Sequence, residues 1–125
     1  MELPSEGYLL RIIIGEAARY EHKHLYEWII IKAREQGIAG ATAIRGMMGY
    51  GAGSRIKTSS ILCLSEDLPV VIEMIDTQQK LESFLDILDP VIPEGVVTME
   101  KVHVRLYRHD ENKQGASGYG QRDKR

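Results

Sequence analysis

The sequence contains little of what small proteins use for covalent or long-range electrostatic organisation. Its 125 residues include one cysteine, Cys63, so an internal disulfide framework is excluded. The 16 lysines and arginines are balanced by 18 aspartates and glutamates, which leaves a formal charge of −2 and no basic field for nucleic acid. The first apolar run, residues 8–14, is about seven residues long, too short for a membrane span or a typical signal peptide. These absences favour a soluble, cytoplasmic protein with no nucleic-acid partner.

The chain is long enough to bury one hydrophobic core without covalent staples. We expect a single domain over residues 1–108, which contain all the apolar runs. Residues 109–125 have almost no apolar content and are predicted to form a polar, flexible tail.

The hydrophobic period changes in an orderly way along the chain. Short apolar or alternating runs predict strands at 8–14, 40–46, 59–64, 68–75 and 96–108. Helical spacing predicts helices at 24–37, with a C-cap at Gly37, and at 76–88, with a capping box from Asp76 to Gln79. Apart from the run at 59–64, the order is β-α-β, a long insertion, and β-α-β.

This order predicts an α+β, ferredoxin-like βαββαβ fold with an antiparallel sheet, two helices on one face, and a long loop between strands 2 and 3. The strand runs at 8–14 and 68–75 are apolar at successive positions, so both of their faces would be hydrophobic. Two helices cover only one face. The remaining face predicts a homo-oligomer, because large exposed apolar patches are uncommon on soluble monomers.

The long insertion contains the run RGMMGYGAGSRIKTSS, residues 45–60, which has no carboxylate. Gly46, Gly49, Gly51 and Gly53 allow positive φ angles and close backbone approach to a ligand. Cationic side chains interleave with them, and these are Arg45, Arg55 and Lys57. The run therefore fits a phosphate or nucleotide cradle, although a flexible loop with solvated cations has the same composition. Its spacing differs from that of a P-loop.

Other reactive residues give weaker patterns. His22 and His24 form an HxH pair that could hold a metal ion with His103 or His109, but loop histidines of this kind are more often solvated. Cys63 fits an inert core thiol, and the serines have no matching histidine–acid pair. Glu16, Glu66 and Asp67 could form an acid–base pair, but caps and turn residues explain them equally well. We therefore expect a protein that is not an enzyme.

The segment GIAGATAIRGMMGYGAGSRIKTSSILCLSEDLPVVIEMID resembles the bacterial and archaeal family called domain of unknown function 190, which carries a similar GATV-RG--GFG segment and LS-DLP turn. The likeness runs from about Tyr8 to Arg108. That family is in turn similar to the PII (GlnB-type) signalling proteins. The resemblance implies a homotrimer of ferredoxin-like subunits that binds adenine nucleotides between subunits and contacts its targets through the long loop.

Site residues follow in part from this resemblance. Thr42 and the Gly49-Tyr50-Gly51 triplet match the PII pattern beside the nucleotide, and Gly95 matches the last glycine of its phosphate loop. The PII arginine and glutamine after the triplet fall on Ala52 and Gly53, and the lysine after the glycine falls on Val96. Together with the loop cations, the predicted ligand-binding residues are Thr42, Arg45, Gly49, Tyr50, Gly51, Arg55, Lys57, Gly95, Arg105 and Arg108.

Two functions compete at this stage. In the first, a small anionic ligand such as an adenine nucleotide binds between subunits and orders the loop. The ordered loop then acts on a protein partner, for example a membrane transporter. In the second, the trimer is a ligand-free interaction or metal-handling module similar to the copper-tolerance relatives of PII.

Overall fold

The computed structural model describes residues 5–53, 55–58 and 67–110. Two helices and four long strands make up most of this part of the chain, with two short hairpins. The strands are β1 (Glu6–Gly15), β2 (Arg19–Tyr20), β3 (Lys23–His24), β4 (Gly40–Arg45), β5 (Met48–Gly49), β6 (Lys57–Thr58), β7 (Pro69–Asp76) and β8 (Val96–His103), and the helices are α1 (Leu25–Glu35) and α2 (Gln78–Leu88).

The four long strands form one antiparallel sheet in the order β4-β7-β1-β8. The first and third long strands along the chain lie in the centre, which is the ferredoxin-like arrangement predicted from the sequence. The register aligns Ile14 with Val70, and Val70 with Arg45 on the edge strand. The predicted α+β fold, with its long connection between the second and third long strands, is therefore confirmed.

Both helices pack on one face of the sheet, where they enclose the core. Alternate residues of β1 and β7 point into it, because successive side chains of a strand face opposite sides. The fully or almost fully buried apolar side chains are Leu10, Ile12, Ile14, Leu25, Ile29, Ala33, Val70, Ile72, Met74, Leu81, Phe84 and Leu88. Each large side chain among them stabilises the fold by about 1.5–3 kcal/mol through burial.

The predicted end of α1 agrees with the structure, whereas the predicted start of α2 does not. At the end of α1, Gly37 has a φ of +78°, which confirms it as the residue that terminates the helix. The capping box predicted from Asp76 to Gln79 is wrong. The N-cap is Thr77, whose side chain accepts a hydrogen bond from the Lys80 N–H. Asp76 is buried instead, and its carboxylate accepts from the N–H groups of Ala39 and Thr77.

The opposite face of the sheet carries no helix, and we call it the open face. Its central apolar side chains are Leu9, Ile13, Val71 and Ile75, which are partly exposed. Arg11 interrupts them and pairs with Glu73 at 2.8 Å and with Glu100 at 3.5 Å. The predicted two-faced hydrophobicity of these strands is present, but a charged cluster lies at its centre.

The last strand is shorter than predicted. The sequence alternation continues to Arg108, whereas β8 ends at His103, opposite Glu6 at the start of β1. The following Val104 N–H still donates to the Ser5 carbonyl, and beyond that contact β1 offers no further partner. The strand predicted at 59–64 and most of the predicted tail, 111–125, lie outside the described residues. Within the described part of the chain, no helix is long and apolar enough to cross a membrane.

Candidate functional site

The candidate loop leaves and re-enters the sheet at one end. It starts after Arg45, the last residue of β4, and returns at Pro69, the first residue of β7. The hairpin of β5 and β6 forms its base, with Met48 opposite Thr58 and Gly49 opposite Lys57. Gly15, the last residue of β1, pairs with Pro69. The loop base therefore lies beside the turn that follows β1.

Two glycines of the loop, Gly46 and Gly49, serve for close packing rather than for unusual backbone angles. Gly46 donates its N–H to the Pro69 carbonyl at 2.6 Å, and a Cβ on Gly46 would lie 2.9 Å from Pro69 Cγ. A Cβ on Gly49 would lie 3.2 Å from the same atom. Positive φ was expected here and is wrong, because the described glycines with positive φ are Gly37 and Gly95. Gly51 and Gly53 face open space.

Two of the three loop cations are already paired within the subunit. The Arg45 guanidinium donates to the Glu16 carboxylate at 2.5 Å. Lys57 Nζ donates to Asp67 at 2.7 Å. Arg55 is exposed and has no hydrogen bond or ion pair with any other residue that the structure describes. Among the described residues of one subunit, Arg55 is thus the loop cation that no carboxylate occupies.

The carboxylate of Asp67 accepts hydrogen bonds at both of its oxygens. One of its oxygens accepts from Lys57, and the other accepts from the Ala17 N–H at 2.9 Å. These hydrogen bonds, led by that from Lys57, lower the pKa of Asp67 below its ordinary value. Sequence reasoning offered Glu16 and Asp67 as an acid–base pair or as turn residues. It missed their ion pairs with loop cations, since only folding brings these residues together.

Four large apolar side chains of the loop base are exposed, namely Met47, Met48, Tyr50 and Ile56. Tyr50 has 72% of its surface accessible, and Met47 has 78%. The described part of the domain therefore leaves most of the surface of these side chains uncovered. Solvent-exposed methionine and tyrosine suit a surface that contacts another molecule.

Two of the remaining predicted site residues, Thr42 and Gly95, lie at separate places in the subunit. Thr42 lies in the middle of β4 on the open face, opposite Glu73. Gly95 precedes β8 with a φ of +150°, and a Cβ there would lie 2.5 Å from the Ile13 carbonyl oxygen. Beside Gly95, a cleft of about 420 Å³ is lined by Asp86, Asp89 and Glu94 as well as by apolar side chains. Its carboxylates make this cleft unsuitable for a phosphate.

Arg105 and Arg108 follow β8 at the opposite end of the sheet from the loop. The register shows this directly, because Val96 pairs with Ile13 near the loop end, whereas His103 pairs with Glu6. Seven strand residues separate these two ends, or roughly 23 Å. Tyr107 donates its hydroxyl to the Ala39 carbonyl at 2.7 Å, which holds the segment at that far end. One subunit therefore does not bring Arg105 and Arg108 to the loop.

The histidines are also divided between the two ends. His22, with a φ of +71°, and His24 belong to the β2–β3 hairpin, where His24 Nδ1 contacts the Glu16 carbonyl at 2.9 Å. His103 lies at the far end of β8. Among the residues that the structure describes, no group of three histidine, cysteine or acidic side chains is placed to hold a metal ion.

The fold is similar to that of PII-like proteins of known structure. The structure is similar to that of CPII from Thiomonas intermedia K12, described as a nitrogen regulatory PII-like protein bound to ADP, AMP and bicarbonate. The TM-score is 0.60 at 18% identity, covering 79% of this chain and 88% of CPII. The divalent ion tolerance protein CutA1 from Ehrlichia chaffeensis has a TM-score of 0.50 at 13% identity, covering 82% and 84% of the two chains. At these identities, the similarities show the fold alone.

The chain belongs to the DUF190 family, described as uncharacterized ACR, whose model matches residues 7–104. The UPF0166 protein of Aquifex aeolicus is 36% identical over 96 residues, which cover 77% of this chain and 90% of the relative. The resemblance found from the sequence motifs is confirmed.

Proposed function

We propose that this protein is a PII-like regulatory protein that binds a small anionic ligand, of the adenine-nucleotide type, in clefts between subunits of a homotrimer. Binding orders the loop, and the loop acts on a protein partner. The protein is not an enzyme in this proposal, because its role is to couple ligand concentration to loop conformation.

One observation supports this function above the others. Arg55 lies exposed on a loop base whose other two cations, Arg45 and Lys57, stand close by in the sequence and pair only with carboxylates at the subunit surface. An exposed cationic group that pairs with none of the described residues can bind a phosphate at little desolvation cost. That the similarly folded CPII was solved with ADP and AMP makes adenine nucleotides the first ligands to test.

The proposal requires more than one copy of the chain. Arg105 and Arg108 lie roughly 23 Å from the loop end of their own sheet, so a site that includes them takes the loop from one subunit and these arginines from a neighbour. The open face supplies a surface for that association, because Leu9, Ile13, Val71 and Ile75 have no helix over them.

The exposed apolar group of the loop base supports the partner contact. Met47, Met48, Tyr50 and Ile56 are exposed and lie in the same stretch of sequence as the loop cations, so a change in loop order would change how these side chains are presented. A ligand shifts the loop only by the ratio of its affinities for the two loop states, and each tenfold ratio corresponds to about 1.4 kcal/mol.

Calorimetric titration of the oligomer with ATP, ADP, AMP and a cyclic nucleotide tests the proposal. We expect binding by at least one adenine nucleotide and a loss of about tenfold or more in affinity in Arg55→Ala, because one charge-assisted contact contributes about 1.5–3 kcal/mol. Arg34→Ala is the matched control, since Arg34 is an exposed arginine on α1. Silence across the whole panel would exclude the nucleotide function.

The metal-handling alternative has no supporting contact in the described part of the chain. His22 and His24 lack a third ligand there, and His24 is already engaged with the Glu16 carbonyl. The fold shared with CutA1 does not identify a metal site.

A further inference from the structure

The turn after β1 connects to both ends of the loop base through carboxylates. Glu16 in this turn binds Arg45, at the point where the loop leaves β4. Asp67, at the point where the loop returns, binds the Ala17 N–H of the same turn and also Lys57 on β6. We call Glu16 and Asp67, with their bonds to Arg45, Lys57 and Ala17, the carboxylate latch.

We propose that the carboxylate latch is an internal competitor of the anionic ligand: Glu16 and Asp67 occupy Arg45 and Lys57 in the ligand-free protein, and the ligand's phosphates must displace them. This inference rests on the proposed function for its ligand. It adds a regulatory step, because displacement removes the side-chain bonds between the loop base and the turn after β1, leaving the backbone bond from the Glu16 N–H to the Leu68 carbonyl.

The chemistry of the two ion pairs allows a phosphate to replace each carboxylate. A carboxylate and a phosphate present the same kind of oxygen acceptor to a guanidinium or an ammonium group, so one can replace the other without rearranging the donor. The pairs lie at the surface, where ion pairs contribute only modestly to stability. Arg45 has 61% of its side chain exposed and Lys57 has 29%, so a ligand can reach both cations.

The position of the pairs links exchange to loop movement. The hairpin of β5 and β6 is short, with two residues in each strand. Beside the backbone bond from the Glu16 N–H to the Leu68 carbonyl, the latch supplies the side-chain hydrogen bonds that join the loop base to the turn at residues 16–17 in the described part of the chain. When a ligand takes Arg45 and Lys57, the N–H bond from Ala17 to Asp67 also loses the charge partner that holds the carboxylate in place.

Gly15 offers a way to open the latch without changing any charge. A Cβ at Gly15 would lie 2.3 Å from Asp67 Oδ1 and 3.0 Å from its Cγ. The end of an aspartate side chain can rotate away from such a contact, whereas a backbone group cannot. In Gly15→Ala, Asp67 must therefore leave its position at Ala17, and Lys57 is released.

Two measurements on the full chain test the latch. The variants are Glu16→Gln with Asp67→Asn as a double substitution, and Gly15→Ala alone. The control for charge is Glu35→Gln, which removes one carboxylate from the exposed Lys32 pair on α1. The control for the added methyl group is Gly40→Ala, where a Cβ meets no atom within 4 Å.

The first measurement is hydrogen exchange without ligand. We expect faster exchange at residues 16–18 and 46–49 in both latch variants, and no change there in the controls. The second is calorimetric titration with ADP and with inorganic pyrophosphate. The double variant should bind about five- to twentyfold more tightly, and Gly15→Ala, which displaces only Asp67, about two- to fivefold more tightly, as expected for surface ion pairs.

The outcomes separate this inference from the proposed function. If wild type binds ADP but the latch variants bind it no more tightly than Glu35→Gln, the inference is overturned and the proposed function stands. If no variant binds either probe, the proposed function and the displacement step both fail. If hydrogen exchange at residues 16–18 and 46–49 is unchanged in both latch variants, the proposed latch is overturned whatever the titrations show.

Discussion

Substitution of Gly95 tests the geometry at the start of β8 most directly. Its φ of +150° lies in a region that residues with a Cβ rarely adopt. A Cβ at this position would also lie 2.5 Å from the Ile13 carbonyl oxygen and 3.0 Å from Ile14 Cγ2. The oxygen belongs to the backbone of the central strand β1, so it cannot rotate out of the contact.

These two effects set the expected size of the change. The unfavourable backbone conformation costs about 1–3 kcal/mol for a residue other than glycine. The overlap with a rigid neighbour costs about 1–3 kcal/mol more. Gly95→Ala should therefore lower the free energy of unfolding by roughly 2–6 kcal/mol, a large part of the 5–15 kcal/mol typical of a small domain.

Two other glycines provide matched controls for the same chemical change. Gly15→Ala contacts the end of the Asp67 side chain, which can move, so its effect on the free energy of unfolding should stay below about 1.5 kcal/mol. Gly51→Ala contacts nothing within 4 Å and should change stability by less than about 0.5 kcal/mol.

Urea denaturation at one fixed protein concentration gives all three values, because the stability of an oligomer depends on concentration. The reasoning is refuted if Gly95→Ala is as stable as wild type, or if Gly51→Ala loses more stability than Gly95→Ala. A change in m-value together with the midpoint would indicate that the substitution altered the compactness of the native or the denatured state.

Two further predictions concern the open face and the latch. Val71→Asp places a charge at the centre of the open face and should weaken self-association at least a hundredfold, since an uncompensated buried charge costs about 3 kcal/mol or more. Sedimentation equilibrium measures this, with Ser83→Asp on the exposed side of α2 as control, and a wild-type protein that is monomeric at micromolar concentration would contradict it. For Asp67, whose pKa is lowered by its bonds to Lys57 and Ala17, the contribution to stability is present above about pH 4 and is lost as the pH falls through the lowered pKa. The Ala17 amide shift, followed by NMR from pH 7 downward, should move with a midpoint below that of an ordinary aspartate, and a similar midpoint in Asp67→Asn would show that another group causes it.

The fold was predictable from the sequence because its signals are local. The apolar run at 8–14 and the helical spacing of Leu81, Phe84 and Leu88 report burial by their period alone. The predicted N-cap failed because two capping residues, Asp76 and Thr77, stand side by side. A contact with Ala39, 37 residues away, takes Asp76 into the buried interior and leaves the cap to Thr77.

The site was less predictable because its determinants are not local. Composition indicated that Arg45, Arg55 and Lys57 could meet an anion. It could not indicate that Glu16 meets Arg45 across 29 positions, or that Asp67 meets Ala17 across 50. The glycines were misread for a similar reason, since the need for glycine at 46 and 49 comes from Pro69 on another strand.

Because the loop lies far from Arg105 and Arg108 within one subunit, a binding site that uses both would depend on self-association. Arg105 and Arg108 follow a strand whose end pairs with Glu6, whereas the loop begins at the end that pairs with Gly15. No rotation of side chains closes a gap of roughly 23 Å within one sheet. If these arginines contribute to the site, the open face must bring the far end of one subunit to the loop of another. A substitution that separates the subunits, such as Val71→Asp, should then abolish nucleotide binding although it alters none of the ligand-binding residues.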